Sequence, residues 1–165
     1  MTAVAAAFAA LAPAAAAAAT RPSAHALLTS RELWATIDIC GAPDQPHTVG
    51  IRGSMPGDRQ TSDHMYMSFR LQYLNSANHW VELPSGASAG YVAIGDGTMA
   101  RQGGSSFELK PAAGKPAVKL RGVVDFQWRR GSKVLLSTAV PTSGGHRSLA
   151  GADPANYSAA TCLIG

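Results

Sequence analysis

Met65-Tyr66-Met67-Ser68-Phe69-Arg70-Leu71-Gln72-Tyr73-Leu74 sets Met65, Met67, Phe69, Leu71 and Tyr73 on one side of an extended chain and Tyr66, Ser68, Arg70 and Gln72 on the other. A helix would scatter the apolar set around its axis, whereas the period of two in a strand gathers it on one face. Residues 118–129 repeat the pattern: Val118, Leu120, Gly122, Val124, Phe126 and Trp128 alternate with Lys119, Arg121, Asp125, Gln127 and Arg129. One face of each run belongs to a core and the other to water, the mark of antiparallel sheet.

Working outward, Val134, Leu136, Thr138 and Val140 form a return strand. A three-residue loop of Arg130, Gly131 and Ser132 would face Trp128 with Val134 and Phe126 with Leu136; a two-residue loop would face Trp128 with Leu135. Upstream, residues 32–40 alternate Leu33, Ala35, Ile37 and Ile39 against Trp34, Thr36 and Asp38. Turn residues 41–46 break that run, and a short strand around Val49 and Ile51 leads to the turn cluster 53–58. Residues 80–83 and 91–94 read as strands separated by the small-residue loop 84–90, residues 107–109 as a short edge strand, and residues 157–164 as the last strand. Seven to nine short strands with turn signals between them predict one all-β domain, an antiparallel β-sandwich over residues 31–165. No internal repeat interrupts it.

Residues 1–19 hold no charged side chain and are almost entirely Ala. They read as the h-region of a signal peptide, although no Lys or Arg lies near Met1. Ala17-Ala18-Ala19 is the favoured cleavage site and Ala24-His25-Ala26 the alternative, with residues 20–30 as a linker. An Ala-rich surface helix and a retained membrane anchor are the other readings. Ala inserts weakly and Pro13 interrupts the run, so no permanent span is predicted. Export predicts a secreted or cell-envelope-associated protein, and an exported chain with two cysteines predicts a Cys40–Cys162 disulfide. Closing a loop of about 120 residues gives on the order of 4–5 kcal/mol in the chain-entropy model. Two separate buried thiols are the alternative; no CxxC or flanking His supports metal or redox chemistry.

The disulfide-stapled run of strands, with Val123-Val124-Asp125-Phe126-Gln127-Trp128-Arg129 and its turn and return, resembles bacterial secreted immunoglobulin-like or fibronectin-type-III-like domains. The resemblance implies a sandwich and no particular activity, since such folds serve adhesion, carbohydrate binding, chaperoning and spacing. Cys40 and Cys162 would join first and last strands, unlike the central pair of antibody-type domains.

Gly86-Ala87-Ser88-Ala89-Gly90 matches the G-x-S-x-G elbow, with Asp125 and His146 following in α/β-hydrolase order and Asp153, after His146, as an alternative acid. An elbow needs a helix after the Ser, but Tyr91-Val92-Ala93-Ile94 is strand sequence; a Gly/Ser loop is the competing reading. A small secreted serine hydrolase using Ser88 is therefore the alternative function, and no catalytic residue is assigned. Gly95-Asp96-Gly97-Thr98-Met99-Ala100 fits G-x-G-x-x-A, yet residues 101–106 read as loop where a dinucleotide site needs a helix, so a β-turn is predicted. The five histidines, His25, His47, His64, His79 and His146, share no ligand spacing, and neither a metal nor a cofactor is predicted.

Charge is the informative asymmetry. The chain carries a net charge of +4, and between Arg101 and Lys133 eight Lys or Arg face only Glu108 and Asp125. Lys119, Arg121 and Arg129 share one strand face with Arg130 and Lys133 at its hairpin end, a positive stripe for an anionic cell-surface polymer, a phospholipid headgroup or another envelope protein. The competing reading is a solvated face that keeps an edge strand unpaired. Phe126 and Trp128 alternate toward the core, away from any base, so no nucleic acid is predicted. The predicted function is a non-catalytic secreted or envelope-associated binding or structural domain, with no feature specifying an oligomeric state.

Overall fold

A computed structural model describes residues 20–111, 113–146 and 149–165. The predicted signal peptide therefore lies outside the described residues. Nine strands follow one short helix: α1 (Ala24–Leu28), β1 (Trp34–Ala42), β2 (Gln45–Met55), β3 (His64–Leu74), β4 (Trp80–Ala87), β5 (Val92–Asp96), β6 (Arg101–Glu108), β7 (Val118–Arg130), β8 (Lys133–Pro141) and β9 (Cys162–Ile164).

They form two antiparallel sheets, one of order β1-β2-β6 and one of six strands. The two runs with the cleanest alternation are the neighbours at the centre of the larger sheet. β3 and β7 pair over ten residues, from His64–Arg129 to Tyr73–Leu120. Each shares its other edge between two shorter strands, β4 and β5 beside β3, and β8 and β9 beside β7. Inward side chains of both sheets meet in one core, with Ile37 and Ile51 from the first and Met67, Phe126 and Trp128 from the second. Trp128 satisfies its indole N–H by donating to the Pro56 carbonyl at 3.0 Å. The arrangement is sandwich-like.

Cys40 in β1 and Cys162 in β9 form the predicted disulfide, with 5.6 Å between their Cα atoms. Because β9 belongs to the larger sheet, the bond ties the two sheets together.

Several local expectations change. Residues 20–30 are no plain linker: Ser23 caps α1 by accepting from the Ala26 N–H at 3.1 Å, and Leu27 enters the core. Residues 101–106 are strand, not loop. β6 pairs with β2 from Glu108 back to Arg101, and a Cβ at Gly103 would lie 3.1 Å from Ile94 and 3.2 Å from Met67. Glycine is there because opposing core side chains fill its place, so the residue type that signals a loop here serves close approach. Gly86 and Ala87 likewise end β4, and Gly86 is buried against Leu71.

Neither hairpin register holds. Arg130 faces Lys133 across the two-residue loop Gly131-Ser132, but the register shifts at Leu135, so Trp128 faces Leu136 and Phe126 faces Thr138. The bulge returns Leu136 and Val140 to the core side that an uninterrupted two-residue hairpin would deny them.

The last strand is three residues, not eight. Residues 142–146 and 149–161 instead run along β1: the Ser143 N–H donates to the Ala35 carbonyl at 2.8 Å, that of Asp153 to the Asp38 carbonyl at 2.9 Å, and Ile37 and Ala159 exchange backbone bonds at 2.9 and 3.0 Å. They also cover Thr36 and Asp38, which alternation would send to solvent and which are buried. The open edge and outer side of β1 are thus closed by the chain itself.

Candidate functional site

With Met65, Met67, Phe69 and Leu71 committed to the core, β3 presents Tyr66, Ser68, Arg70 and Gln72 outward, beside Lys119, Arg121, Asp125, Gln127 and Arg129 of β7. This outer face contains most of the predicted basic stripe. Arg129 lies between two rings, its guanidinium carbon 4.3 Å from the Tyr66 centroid and 4.7 Å from that of Tyr91, and its Nε donates to Gln127 Oε1 at 2.7 Å. Arg121 lies 4.5 Å over Trp80, with Nε donating to Gln72 Oε1 at 2.8 Å.

Stacking holds a guanidinium without neutralising it, and the planar group keeps outward N–H donors for a second partner. Among the described residues neither Arg121 nor Arg129 has an acidic partner. The carboxylates of this face are taken by Arg70, whose Nε donates to Asp125 Oδ2 at 2.8 Å and whose Nη1 reaches Glu82. The hydrogen bond to Asp125, with the charges of both acids, holds the Arg70 guanidinium above its usual range. Partial burial and then the Asp125 charge push the Tyr91 phenol up.

Lys119 and Lys133 are exposed at the two ends of the stripe. Arg130 is not available in the same way. Its Nε donates to Asp63 Oδ1 at 2.6 Å and its Nη2 to Oδ2 at 3.1 Å. Asp63 and Asp58 are wholly buried, and Arg21 bridges them from the other side at 2.7 and 2.6 Å. Arg130 pulls Asp63 down to about 2, whereas burial pushes Asp58 up. The Gly95-to-Ala100 motif serves this cluster: the Gly97 N–H donates to the Asp63 carbonyl at 2.7 Å, and a Cβ on Gly97 would lie 2.1 Å from Asp58 Oδ1. The turn predicted there is present, and its glycine makes room for a buried carboxylate.

The hydrolase set is not brought into contact. Ser88 Oγ accepts from the Phe69 N–H at 3.0 Å and donates to the Gly90 carbonyl at 3.1 Å. His146 stacks on Trp34 with centroids 4.3 Å apart and places Nε2 3.2 Å from Ser143 Oγ. Asp125 is held by Arg70, and Asp153 accepts from Gln45 at 3.1 Å. Among the described residues no group of three or more His, Cys, Asp or Glu gathers as a metal would require, and no helix is long and apolar enough to cross a membrane.

The rings of Tyr91 and Trp80 are the part of this face that alternation in residues 65–74 and 118–129 does not reveal. Pairing β3 with β7 sets Tyr66 opposite Gln127 and so beside Arg129, but Trp80 and Tyr91 reach this face only through β4 and the approach to β5. No family model matches the chain, and no curated protein matches it.

Proposed function

We propose that this chain is a non-catalytic, exported domain of immunoglobulin-like or fibronectin-type-III-like kind that attaches to an anionic polymer of the cell surface. Its contact surface is the outer face of the larger sheet: Arg121 and Arg129, with Lys119 and Lys133 at the ends. The observation that carries the reading is the stacking of Arg121 on Trp80 and of Arg129 between Tyr66 and Tyr91, while the nearby carboxylates are occupied by Arg70. Two cations are thereby fixed in place with their charge intact, so little side-chain freedom remains to be lost on binding. Arg130 supports the fold and adds little to the patch.

The test is retention of the disulfide-intact protein on isolated cell envelopes of its native host and on immobilised polygalacturonate, with neutral dextran as control. Retention on both anionic materials should fall with added salt, and R121E/R129E should weaken it about tenfold or more with an unchanged circular dichroism spectrum. Retention indifferent to salt and to the double reversal would overturn the proposal.

A further inference from the structure

At one end of the molecule the chain crosses from one sheet to the other and leaves the core partly uncovered. β6 stops at Glu108, the Leu109 N–H donates to the His47 carbonyl at 2.9 Å, and the chain then passes Pro111 and Pro116 to enter β7 at Val118. Beneath this crossover lies an open cleft of about 300 Å³. Its floor is core: Leu120 and Ile164 are buried, and Leu83 and Leu109 wall it. Val118 at its edge is 42% exposed.

Two further lining residues are Lys110 and Lys115, both within the crossover. Neither makes an ion pair among the described residues, and no carboxylate lines the cleft. The lining contains no aromatic ring either. An aliphatic recess with a positive rim fits a ligand with an aliphatic body and a negative head, and the volume lies at the lower end of the range for small-molecule sites, about 300–1,000 Å³. A sugar polymer, which needs ring faces and many hydrogen-bonding groups, is excluded by the same lining.

The geometry points to a binding site for a free alkyl carboxylate, its chain against Leu83, Leu109, Leu120 and Ile164 and its head between Lys110 and Lys115. The site shares no residue with the Arg121–Arg129 face and does not depend on that face being functional. The disulfide supports it, because Cys162 fixes the strand that carries Ile164.

The experiment is titration of the disulfide-intact protein with decanoate below its micelle concentration, followed by methyl shifts of Leu83, Leu109, Val118, Leu120 and Ile164 and by calorimetry. Decanol is the uncharged control. Expected are saturable decanoate binding with shifts confined to those methyls, a loss of about tenfold or more in K110E/K115E, and unchanged binding in R121E/R129E. Absence of binding, shifts elsewhere, or equal affinity for decanol insensitive to K110E/K115E would overturn the assignment. Both lysines are exposed, so the double variant leaves the core intact.

Discussion

On the smaller sheet Asp38 takes the Arg52 Nε at 2.8 Å beneath the carboxyl-terminal segment; on the larger sheet Arg70 takes the half-buried Asp125 and the exposed Glu82. The residue types are the same, but the Asp38 side chain is 5% exposed and that of Glu82 52%. Covering decides what each contact does. A carboxylate shut away from water needs its partner, while an exposed pair contributes between zero and about 1 kcal/mol. The covered side therefore belongs to stability and the open side is free for contact with other molecules.

The disulfide that joins the two sheets gives the sharpest way to break this division. C40A/C162A should lower the unfolding free energy by about 4–5 kcal/mol, read from urea midpoints against the oxidised parent. A loss below about 1 kcal/mol would mean that core packing and the segment along β1 hold the sheets together unaided.

Arg21 extends the same rule to the end of the molecule. R21A leaves Asp58 and Asp63 with Arg130 alone and should destabilise by about 2 kcal/mol, less than the ~3–5 of a fully buried pair because the Arg21 side chain is 34% exposed. Asp63 titrates at about 2 in the fold against 3.8 for a free carboxyl. Its ionised form therefore favours folding above about pH 4, and that contribution, about 2 kcal/mol, is lost as the pH falls through about 2. Asp58, raised in the fold, takes up a proton more readily than the unfolded chain and offsets part of the loss. A stability profile from pH 5 downward should thus decline on its acid limb, and the limb should be shallower in R130A, which removes the largest cause of the Asp63 shift.

The smallest effects bear most directly on the comparison. D38A should cost about 1–2 kcal/mol and leave envelope retention untouched, because only the covered side is altered. R70A should cost less than about 1 kcal/mol and change retention by freeing Asp125 and Glu82 on the contact face. Equal stability losses for the two, measured by thermal melts, would erase the distinction between the sides.

Alternation in residues 65–74 and 118–129 was enough to find the two strands that organise the larger sheet, and the pair of cysteines was enough to find the bond between sheets. Glycine misled at two strands. At Gly103 and Gly86 it reports an opposing side chain, a tertiary fact that local propensity cannot contain. The outward direction of Arg121 and Arg129 was legible from period two, but their ring partners come from β3, β4 and the approach to β5, and so required strand order and register. Arg130 reads as part of the stripe by position; the buried carboxylate that claims it lies 67 residues away in sequence. Thr36 and Asp38 read as wet because nothing local announces that a distant segment lies over them.

The bond between Cys40 and Cys162 spans 122 residues, most of the described chain. If the domain is pulled by its ends, the load passes across that bond and bypasses β2 to β8. At about 3.5 Å per residue the enclosed chain could otherwise pay out roughly 430 Å. With the bridge intact, the described residues outside the loop, 20–39 and 163–165, give about 80 Å of tether. The outer face of β3 and β7, which lies wholly within the loop, would keep its shape while the chain outside the loop draws taut.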